Sequence, residues 1–530
     1  MQAASEDEEL VFTLALRHLP QQIPENWEIE AGEGDRVTVK VQGGMDIMLK
    51  DAHPNAANYA GQLPSGFDPA LLYPSRNHPR ALQLALYGMS DALNSMGIDW
   101  SDVCAAVRPE EIGIYACSSM SQLDYHGNGG MLQARLLGRK VTSKQLPFGF
   151  SDMPADFINA YVLGNVGNTG SSMGACATFL YNLRQGIRDI QSGTHRVVIV
   201  GVSEAPILPE IMEAFVAMGA IADDSKLKAI DGGEAPDYAN PCRPFGENIG
   251  FTLAEACHFV ILFDDALAIE LGAQVYGSVN DVFISADGYK KSIASPGVGN
   301  YLTFARAAAA TKAVLGLESL QKRTFVQAHG TGTPQNRITE SGILSEIASR
   351  FGIENWPVTA VKSYLGHSLG GAGGDQLAAT LGVWKYGIIP GIRSTRAIAE
   401  DVHTEGLDFL LAHKDVGPKT MDAALINAKG FGGNNATASI LSPHITMNML
   451  TKRHGEKALS RYFEKNEAVS KKIAAYEDNS NLQPIQPIYR FDHDVKSGGD
   501  LNFDEKEMQL RGYAKAINLE LENPYQDMTE

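Results

Sequence analysis

Cys176 is the residue of this sequence best placed for nucleophilic chemistry. It ends the small-residue run GNTGSSMGAC, and apolar residues then recur at helical spacing at Phe179, Leu183 and Ile187. This pattern predicts a turn at or just before a helix N-terminus, where free N–H groups and the helix dipole favour a thiolate. A two-unit fall from the ordinary pKa of ~8.5 would make the thiol mostly thiolate at pH 7. The competing interpretation is a small buried hydrophobe, the fate of most free cysteines.

Two histidines stand at the ends of predicted elements, beside glycines that permit close approach of a substrate. His329 follows the apolar run FVQA and precedes GTGTP, whereas His367 follows KSYLG and precedes a helix of small residues. A further segment, GFGG, flanks Phe431 with glycines, so that its backbone N–H could face a substrate oxygen. The other eleven histidines are expected to be structural.

The elements that must position these groups alternate between short β-branched runs and helical stretches. Runs such as VVIVG (197–201) and AALINAKG (423–430) are separated by helical segments and glycine-rich turns. This alternation predicts an α/β protein with a largely buried sheet, over a central domain of residues 58–445. Residues 1–57 show only a weak alternation at VTVKV and are expected to form an N-terminal cap or an incomplete N-terminal region.

The chain becomes highly charged after the central domain. One helical face carries the apolar residues Leu459, Tyr462, Phe463, Val469, Ile473 and Tyr476. Residues 446–530 are therefore predicted to be a helical appendage whose apolar face docks on the core or on a second subunit. Two prolines, Pro484 and Pro487, break this helix before a second predicted helix near 503–521.

Composition excludes several classes of function. A formal net charge of −18 disfavours general binding to nucleic acid or to an anionic membrane, which needs an excess of Lys and Arg. No apolar run approaches the ~20 residues that span a bilayer, and the acidic start MQAASEDEEL is unlike a secretory signal, so the expected location is the cytoplasm. Five cysteines without a CxxC pattern argue against a disulfide framework and a zinc site. No metal or cofactor is expected.

Taken together, four motifs resemble the β-ketoacyl-acyl carrier protein synthases, the condensing enzymes of fatty acid and polyketide synthesis. GACAT around Cys176, AHGTGTP around His329, KxxxGH before His367 and GFGG around Phe431 occur in the order and near the spacings of the branch with a Cys-His-His triad. The resemblance implies the thiolase fold, with two βαβαβαββ halves in a five-layer αβαβα arrangement, and usually a homodimer. The appendage and the sequences NRITE and SRNHPR are most similar to the long FabY-type synthases that initiate fatty acid synthesis.

The resemblance implies an acyltransferase, a 3-oxoacyl-ACP synthase that condenses an acyl primer with malonyl-acyl carrier protein (malonyl-ACP) as the malonyl group loses carbon dioxide. Cys176 would accept the primer, expected to be acetyl from acetyl-CoA. His329 and His367 would donate ring N–H groups to the malonyl thioester oxygen, and the N–H groups of Cys176 and Phe431 would form an oxyanion hole.

Other site residues follow from the same resemblance. Lys362 is expected to order the site through a charge network with Glu340 rather than act on the substrate. The remaining supporting residues are Thr331, Thr333 and Gly432. Met120 and Phe179 are expected to line the acyl pocket. The candidates for docking the carrier protein are Arg76, Arg80, Arg135, Arg139 and Lys140.

The sequence also departs from the family. Arg337 stands where the family usually has an Asp, so the charge network behind Lys362 must be rebuilt. Lys429 replaces a common aromatic residue in the loop before Phe431. The first strand of the family, a VVxTGxG-like run, is not recognisable before residue 60, so either an unusual region replaces it or an upstream segment is lacking.

Three alternatives remain beside an initiating synthase. An elongating synthase would use longer acyl-ACP or polyketide primers. A catalytically silent subunit, like the chain-length factors of polyketide synthases, would have lost the cysteine, whereas Cys176 and both histidines are present. A thiolase would need a second catalytic cysteine, but no cysteine follows Cys257.

Overall fold

Residues 10–20, 22–43, 54–293 and 295–529 are described by the structure, which is a computed structural model. The acidic start at residues 1–9 lies outside the described residues. Contacts divide the chain into one unit of residues 1–55 and 132–141 and a larger one of residues 56–131 and 142–530. All four motifs lie in the larger unit.

The smaller unit contains a three-stranded antiparallel sheet. Its strands are β1 (Leu10–Ala15), β2 (Trp27–Ala31) and β3 (Arg36–Val41), in the order β1-β3-β2. The VTVKV alternation thus forms a strand, and Val37, Val39 and Val41 are buried on one of its faces.

Two larger sheets form the framework of the other unit. The strands of the first are β4 (Ile112–Cys117), β5 (Asn168–Gly170), β6 (Val197–Glu204) and β7 (Ala256–Phe263), in the order β5-β4-β6-β7. The next strands are β8 (Ser278–Ala286), β9 (Thr324–Gln327), β10 (Trp356–Thr359), β11 (Ile388–Ile389), β12 (Leu407–Phe409), β13 (Lys414–Asp415), β14 (Ala423–Gly430) and β15 (Asn434–Leu441). Six of them form the second sheet in the order β12-β10-β9-β14-β15-β8, and β11 pairs with β13.

The helices flank and separate these sheets. They are α1 (Arg80–Ser95), α2 (Trp100–Ala106), α3 (Asn128–Gln133), α4 (Gln145–Phe148), α5 (Met153–Ile158), α6 (Thr178–Ser192), α7 (Pro209–Ala217), α8 (Asp224–Asp231), α9 (Asp265–Leu271), α10 (Gly299–Leu315), α11 (Leu317–Lys322), α12 (Pro334–Phe351), α13 (Lys362–Leu365), α14 (Ala372–Tyr386), α15 (Pro443–His454), α16 (Glu456–Ser480) and α17 (Gln526–Thr529). Short 3-10 turns at Ala175–Ala177 and Leu369–Gly371 precede α6 and α14.

Two central helices lie between the sheets. α6 packs on β6 and β8, and α14 packs on β14 and β7, so both helices contact both sheets. On the outer faces, α1 and α5 cover the first sheet, and α10 covers the second. This is the five-layer αβαβα arrangement, and the predicted fold is confirmed.

The two sheets repeat one strand topology, but the second sheet has a further strand at one edge. In each, two parallel pairings and one antiparallel pairing link four strands: β5-β4-β6-β7 in the first and β10-β9-β14-β15 in the second. The second sheet continues with β8, whereas no strand in the described part of the chain pairs with the far edge of β7. An apolar cavity of about 870 Å³ is lined by five consecutive residues of β7, 259–263, so it follows that edge. The sequence likewise lacks a recognisable first strand.

The predicted helix after the central domain is confirmed as α15 and α16. On α16, Val469 and Ile473 are buried in a cluster with Val103 and Leu267, and the Tyr462 hydroxyl donates to the Ala273 carbonyl at 2.9 Å. The apolar face therefore docks on the core of its own chain.

The second predicted helix, near 503–521, is wrong. Three short antiparallel strands occupy this region: β16 (Leu501–Phe503), β17 (Glu507–Leu510) and β18 (Ile517–Asn518). The side chain of Asp504 accepts the N–H groups of Lys506 and Glu507, which stabilises a tight turn between the first two strands. A local side-chain bond thus outweighs helix propensity.

We predict that Ile473→Ala will lower the free energy of unfolding by ~2–5 kcal/mol, because it opens a cavity beneath α16. The matched control is Phe463→Ala on the same helix, since Phe463 is exposed and should tolerate truncation. Thermal denaturation of both variants tests this. Equal melting temperatures would mean that α16 does not depend on this contact.

Candidate active site

Cys176 lies in the 3-10 turn that leads directly into α6, so the turn-to-helix prediction is confirmed. Ala175 adopts φ +49°, a strained conformation for a residue with a side chain. The end of β14 approaches this turn closely, because a Cβ on Gly430 would lie 2.2 Å from the Gly174 carbonyl oxygen. This approach places the backbone N–H of Phe431 at the sulfur of Cys176.

The expected fall in the pKa of Cys176 is wrong in sign. Burial raises the pKa of this thiol to about 11, and the Glu204 carboxylate adds to the rise. The Lys362 ammonium and the N–H groups of Phe431 and Cys176 lower the pKa but do not offset burial. The helix start supplies donors, yet desolvation of the charged form dominates. The resting group is therefore a thiol that is prepared to carry negative charge only transiently.

Glu204 ends β6 as a fully buried carboxyl group. It accepts the backbone N–H of Ser119 at 2.6 Å and the Ser118 hydroxyl at 3.0 Å. Burial raises its pKa to about 7, while these hydrogen bonds and one from the Met120 N–H lower it. Glu204 thus fixes the turn that carries Met120.

His329 and His367 come together as a buried pair. Their ring centroids are 5.3 Å apart with the planes at 87°, and each side chain is at most 3% exposed. Burial holds the pKa of both well below its ordinary value, and the charge of Lys362 lowers both further. Both imidazoles are therefore neutral throughout the neutral pH range, and each has a single ring N–H to donate.

The backbone at His329 is held from two sides. On one side, the Glu340 carboxylate accepts the N–H groups of His329 and Gly330 at 2.7 and 2.8 Å. On the other side, the Lys362 ammonium donates to the His329 carbonyl at 2.6 Å. The negative Glu340 thus binds the N–H side of the His329 backbone, and the positive Lys362 binds its carbonyl side.

Both carboxylate oxygens of Glu340 accept hydrogen bonds from N–H donors. Besides the two backbone groups, it accepts the side-chain amides of Asn336 at 2.8 Å and Asn427 at 2.7 Å. The Gln376 amide donates to the carbonyls of Gln327, Ala328 and Asn427, which ties the ends of β9 and β14 together. The sequence analysis missed Asn427 and Gln376. The signal that could have found them is that each is a polar residue within a run of small or apolar residues.

The two departures from the family have separate environments. Arg337 forms a bidentate pair with Asp401 at 2.8 Å. Lys429 donates to the Thr339 hydroxyl at 3.3 Å, burial lowers its pKa, and its charge contributes to the lowered pKa of His329.

Lys362 is itself fully buried, and desolvation lowers its pKa. Among the carboxylates that favour its charged form, Asp375 has the largest effect and Glu340 the next. Glu340 therefore favours the charge of Lys362, but Asp375, which the sequence did not single out, has the larger effect.

The two expected pocket residues lie in different places. Met120 packs against the apolar cluster that contains Cys176, together with Met212, Phe215 and Phe251. Phe179 is fully buried in the core between the sheets, and its assignment to the acyl pocket stays a prediction.

The remaining predicted residues are near the turn after His329 or on the surface. The hydroxyls of Thr331 and Thr333 are 3.0 Å apart, Thr333 caps α12, and Gly432 has φ +88°. Among the docking candidates, Arg80 forms a bidentate pair with Glu255. The exposed ones are Arg76, Arg135, Arg139 and Lys140.

Family comparisons agree with this geometry. The model of the β-ketoacyl synthase N-terminal domain matches residues 50–267, and that of the C-terminal domain matches residues 276–396. The chain belongs to the β-ketoacyl synthase family. It is 47% identical to the β-ketoacyl-[acyl-carrier-protein] synthase FabY of Pseudomonas aeruginosa, over 99% of this chain and 83% of that protein.

More distant and structural comparisons extend this result. The chain is 28% identical to the ketoacyl synthase alpha subunit of the tetracenomycin polyketide synthase of Streptomyces glaucescens, over 76% of this chain and 90% of that protein. The crystal structure of the ketosynthase FabY from P. aeruginosa matches with a TM-score of 0.96 and 46% identity, over 100% of this chain and 83% of that one. This β-ketoacyl synthase is therefore an acyltransferase-type condensing enzyme of fatty acid biosynthesis that acts on acyl thioesters, and the predicted family and reaction are confirmed.

The described residues were also compared with what a metal site and a membrane span require. Within the described ranges, no group of three His, Cys, Asp or Glu side chains could hold a metal ion. None of the helices in the described part of the chain combines the length and hydropathy needed to cross a bilayer.

We predict that Glu340→Gln will destabilise the enzyme by ~1–3 kcal/mol, because one amide oxygen must replace two that accept four donors. Its new NH₂ group would face donors as well. The control on the same helix is Glu346→Gln, whose carboxylate makes an exposed pair with Arg350 and should matter little. Thermal denaturation measures the difference, and equal loss in both variants would contradict this account of Glu340.

Proposed function

We propose that Cys176 accepts the primer acyl group by thioester exchange. The sulfur attacks the primer carbonyl, the thiol of the primer thioester leaves, and the cysteine proton passes to that leaving group. The N–H groups of Cys176 and Phe431 stabilise the negative charge that develops on the way. What supports this role is that both N–H groups already point at the sulfur and lower its pKa, together with Lys362.

The buried histidine pair then serves the second half of the reaction. The malonyl thioester loses carbon dioxide, and the N–H groups of His329 and His367 stabilise the resulting enolate oxygen. The enolate carbon attacks the acyl group on Cys176, the C–S bond to the cysteine breaks, and the 3-oxoacyl thioester leaves. The Cys176 thiolate left behind takes up one proton from solvent, which returns the thiol. The observation that carries this proposal is the close, buried pairing of the two rings, whose centroids are 5.3 Å apart. Burial lowers the pKa of both, and a neutral N–H donor needs no proton exchange at each turnover.

We predict that the two halves are separable by mutation. His329→Ala or His367→Ala should lower malonyl-ACP decarboxylation by ~10²–10³-fold while Cys176 still becomes acylated. Cys176→Ser should abolish acylation, because an alcohol of far higher pKa replaces the thiol.

Two assays separate these steps: release of carbon dioxide, and the mass of the intact protein after incubation with an acyl thioester. Loss of acylation with unchanged decarboxylation in either His→Ala variant would reverse the assigned roles.

The primer that we propose is acetyl from acetyl-CoA, in an initiating role. Bulky side chains surround Cys176, since Met120, Met212, Phe215 and Phe251 belong to or pack on its cluster. This crowding favours a short primer. Met120 is also a flexible side chain, which favours the second candidate, an elongating synthase that accepts longer primers when this residue moves.

Primer preference should be graded, because each methylene in an apolar pocket is worth only ~1–3 kcal/mol. We predict faster turnover with acetyl-CoA than with C8 to C14 acyl-ACP, and a shift toward longer primers in Met120→Ala. Met449→Ala is the control, since Met449 is exposed on α15. Turnover with malonyl-ACP, followed by mass analysis of the 3-oxoacyl product, measures the preference. Faster turnover of the long primers by the unmodified enzyme would rule out the initiating role.

Partners and organisation complete the proposal. Residues 58–445 form the synthase domain, residues 446–530 its appendage, and the enzyme works in the cytoplasm as a homodimer. The family resemblance supports the homodimer, and five free thiols suit a reducing compartment. The candidates for docking an acidic carrier protein are the exposed Arg76 and, as a separate strip, the exposed Arg135, Arg139 and Lys140. The fifth candidate, Arg80, forms an ion pair with Glu255.

A further inference from the structure

Asp375 is a buried carboxylate to which the proposed reaction assigns no role. It lies in the first turn of α14 and is 4% exposed. One oxygen, Oδ2, accepts the Ser368 hydroxyl at 2.5 Å, and the other, Oδ1, lies 2.7 Å from Nε2 of His258 on β7. Because the two partners come from different elements, they fix the orientation of the carboxylate.

The bond to Ser368 anchors the turn that follows His367. Leu369, at the start of this turn, adopts φ +51°, which is strained for a residue with a side chain. On its other side, the N–H of His367 donates to the Thr252 carbonyl at 2.7 Å. Asp375 thus supplies a side-chain anchor for a strained turn next to His367, whose backbone pairs with the segment just before β7.

The bond to His258 requires a residue without a side chain at position 374 of α14. A Cβ on Gly374 would lie 2.4 Å from Cγ of His258, so a larger residue there would displace the imidazole. The glycine therefore lets the ring reach Asp375, and the contact is built into the helix.

Asp375 also acts on the other histidine through Lys362. Both groups are buried, Lys362 at 1% and Asp375 at 4% exposure, and they lie in the first turns of the consecutive helices α13 and α14. The charge of Asp375 favours the Lys362 ammonium more than that of Glu340 does, and Lys362 holds the His329 carbonyl at 2.6 Å. Arg337, where the family usually has an Asp, is engaged with Asp401 and supplies no negative charge.

We propose that Asp375 is a positioning residue for both catalytic histidines: it anchors His367 through Ser368, and it supplies the counter-charge of the Lys362 ammonium that holds His329. The proposal rests on the roles proposed above for the two histidines. In this proposal, Asp375 on α14 supplies the negative charge that is lacking at position 337 of α12, where Arg337 stands.

Kinetics of malonyl-ACP decarboxylation test the anchor. Asp375→Asn should lower kcat by about 10- to 100-fold with little change in KM, as expected when a partner that orients a functional histidine is removed. Ser368→Ala should lower kcat in the same way, and combining the two changes should cost little more than Asp375→Asn alone. Values of kcat within about twofold of the unmodified enzyme for both single variants would overturn the proposal.

Melting temperatures test the counter-charge without reference to activity. Asp375→Asn should lower the melting temperature of the unmodified enzyme, but by about half as much or less in a Lys362→Met background, because an uncompensated buried carboxylate is itself unfavourable. The matched control is Asp422→Asn, since Asp422 holds Ser319, His444 and Arg323 in a similar set at the other end of β14. The control should cost the same in both backgrounds and leave kcat unchanged.

Three further results would separate a positioning role of Asp375 from a merely structural one. If Asp375→Asn behaves like Asp422→Asn in both measurements, Asp375 is merely structural and the proposal is wrong. If Asp375→Asn does not fold, Ser368→Ala and His258→Gln test the anchor, and unchanged kcat in both overturns it. If His329→Ala and His367→Ala retain decarboxylation, the proposed function fails, whereas the thermal coupling of Asp375 to Lys362 still decides the counter-charge.

Discussion

A single buried ammonium organises the candidate site. Lys362 is 1% exposed, so its charge is desolvated and its pKa is lowered. Such a cation persists in a protein interior only with good hydrogen bonds and nearby carboxylates, which here are Asp375 and Glu340. Its hydrogen bond fixes the His329 carbonyl, and its charge lowers the pKa of the thiol and of both imidazoles. Burial is the larger cause of the neutral histidines, and this one charge adds to it while favouring negative charge at the sulfur.

The duplicated architecture brings the surroundings of this ammonium together. Each half places a 3-10 turn at the start of a central helix, and each turn begins with a left-handed residue, Ala175 in one and Leu369 in the other. The first turn carries Cys176, and the second follows His367. Since α6 and α14 both lie between the two sheets, the two turns meet at one end of the molecule's core. The site is thus a consequence of the fold's internal repeat, and the strain in both turns is held by the packing around them.

Local patterns predicted elements well where a long periodic signal agreed with packing. The apolar spacing after Cys176 gave α6, and the charged amphipathic stretch gave α16. The prediction near 503–521 was wrong because a side-chain bond from Asp504 stabilises a turn there, and short strands of three or four residues have little periodicity to detect. The sign of the Cys176 pKa shift was wrong for another reason: the sequence shows the helix start, but burial is a property of the folded core.

The sequence by itself determined the family, the condensation chemistry and the identity of the residues in its motifs, because those residues are fixed by residue type and spacing. It also located Arg337 as a break in the expected charge network. Only the tertiary structure decided how that break is compensated. Asp375 is 38 residues from position 337 along the chain, and nothing in the local run GGAGGD marks it as a counter-charge. Electrostatic effects depend on distance and burial in space, so the partner of Lys362 becomes visible only when α12, α14 and β9 are assembled.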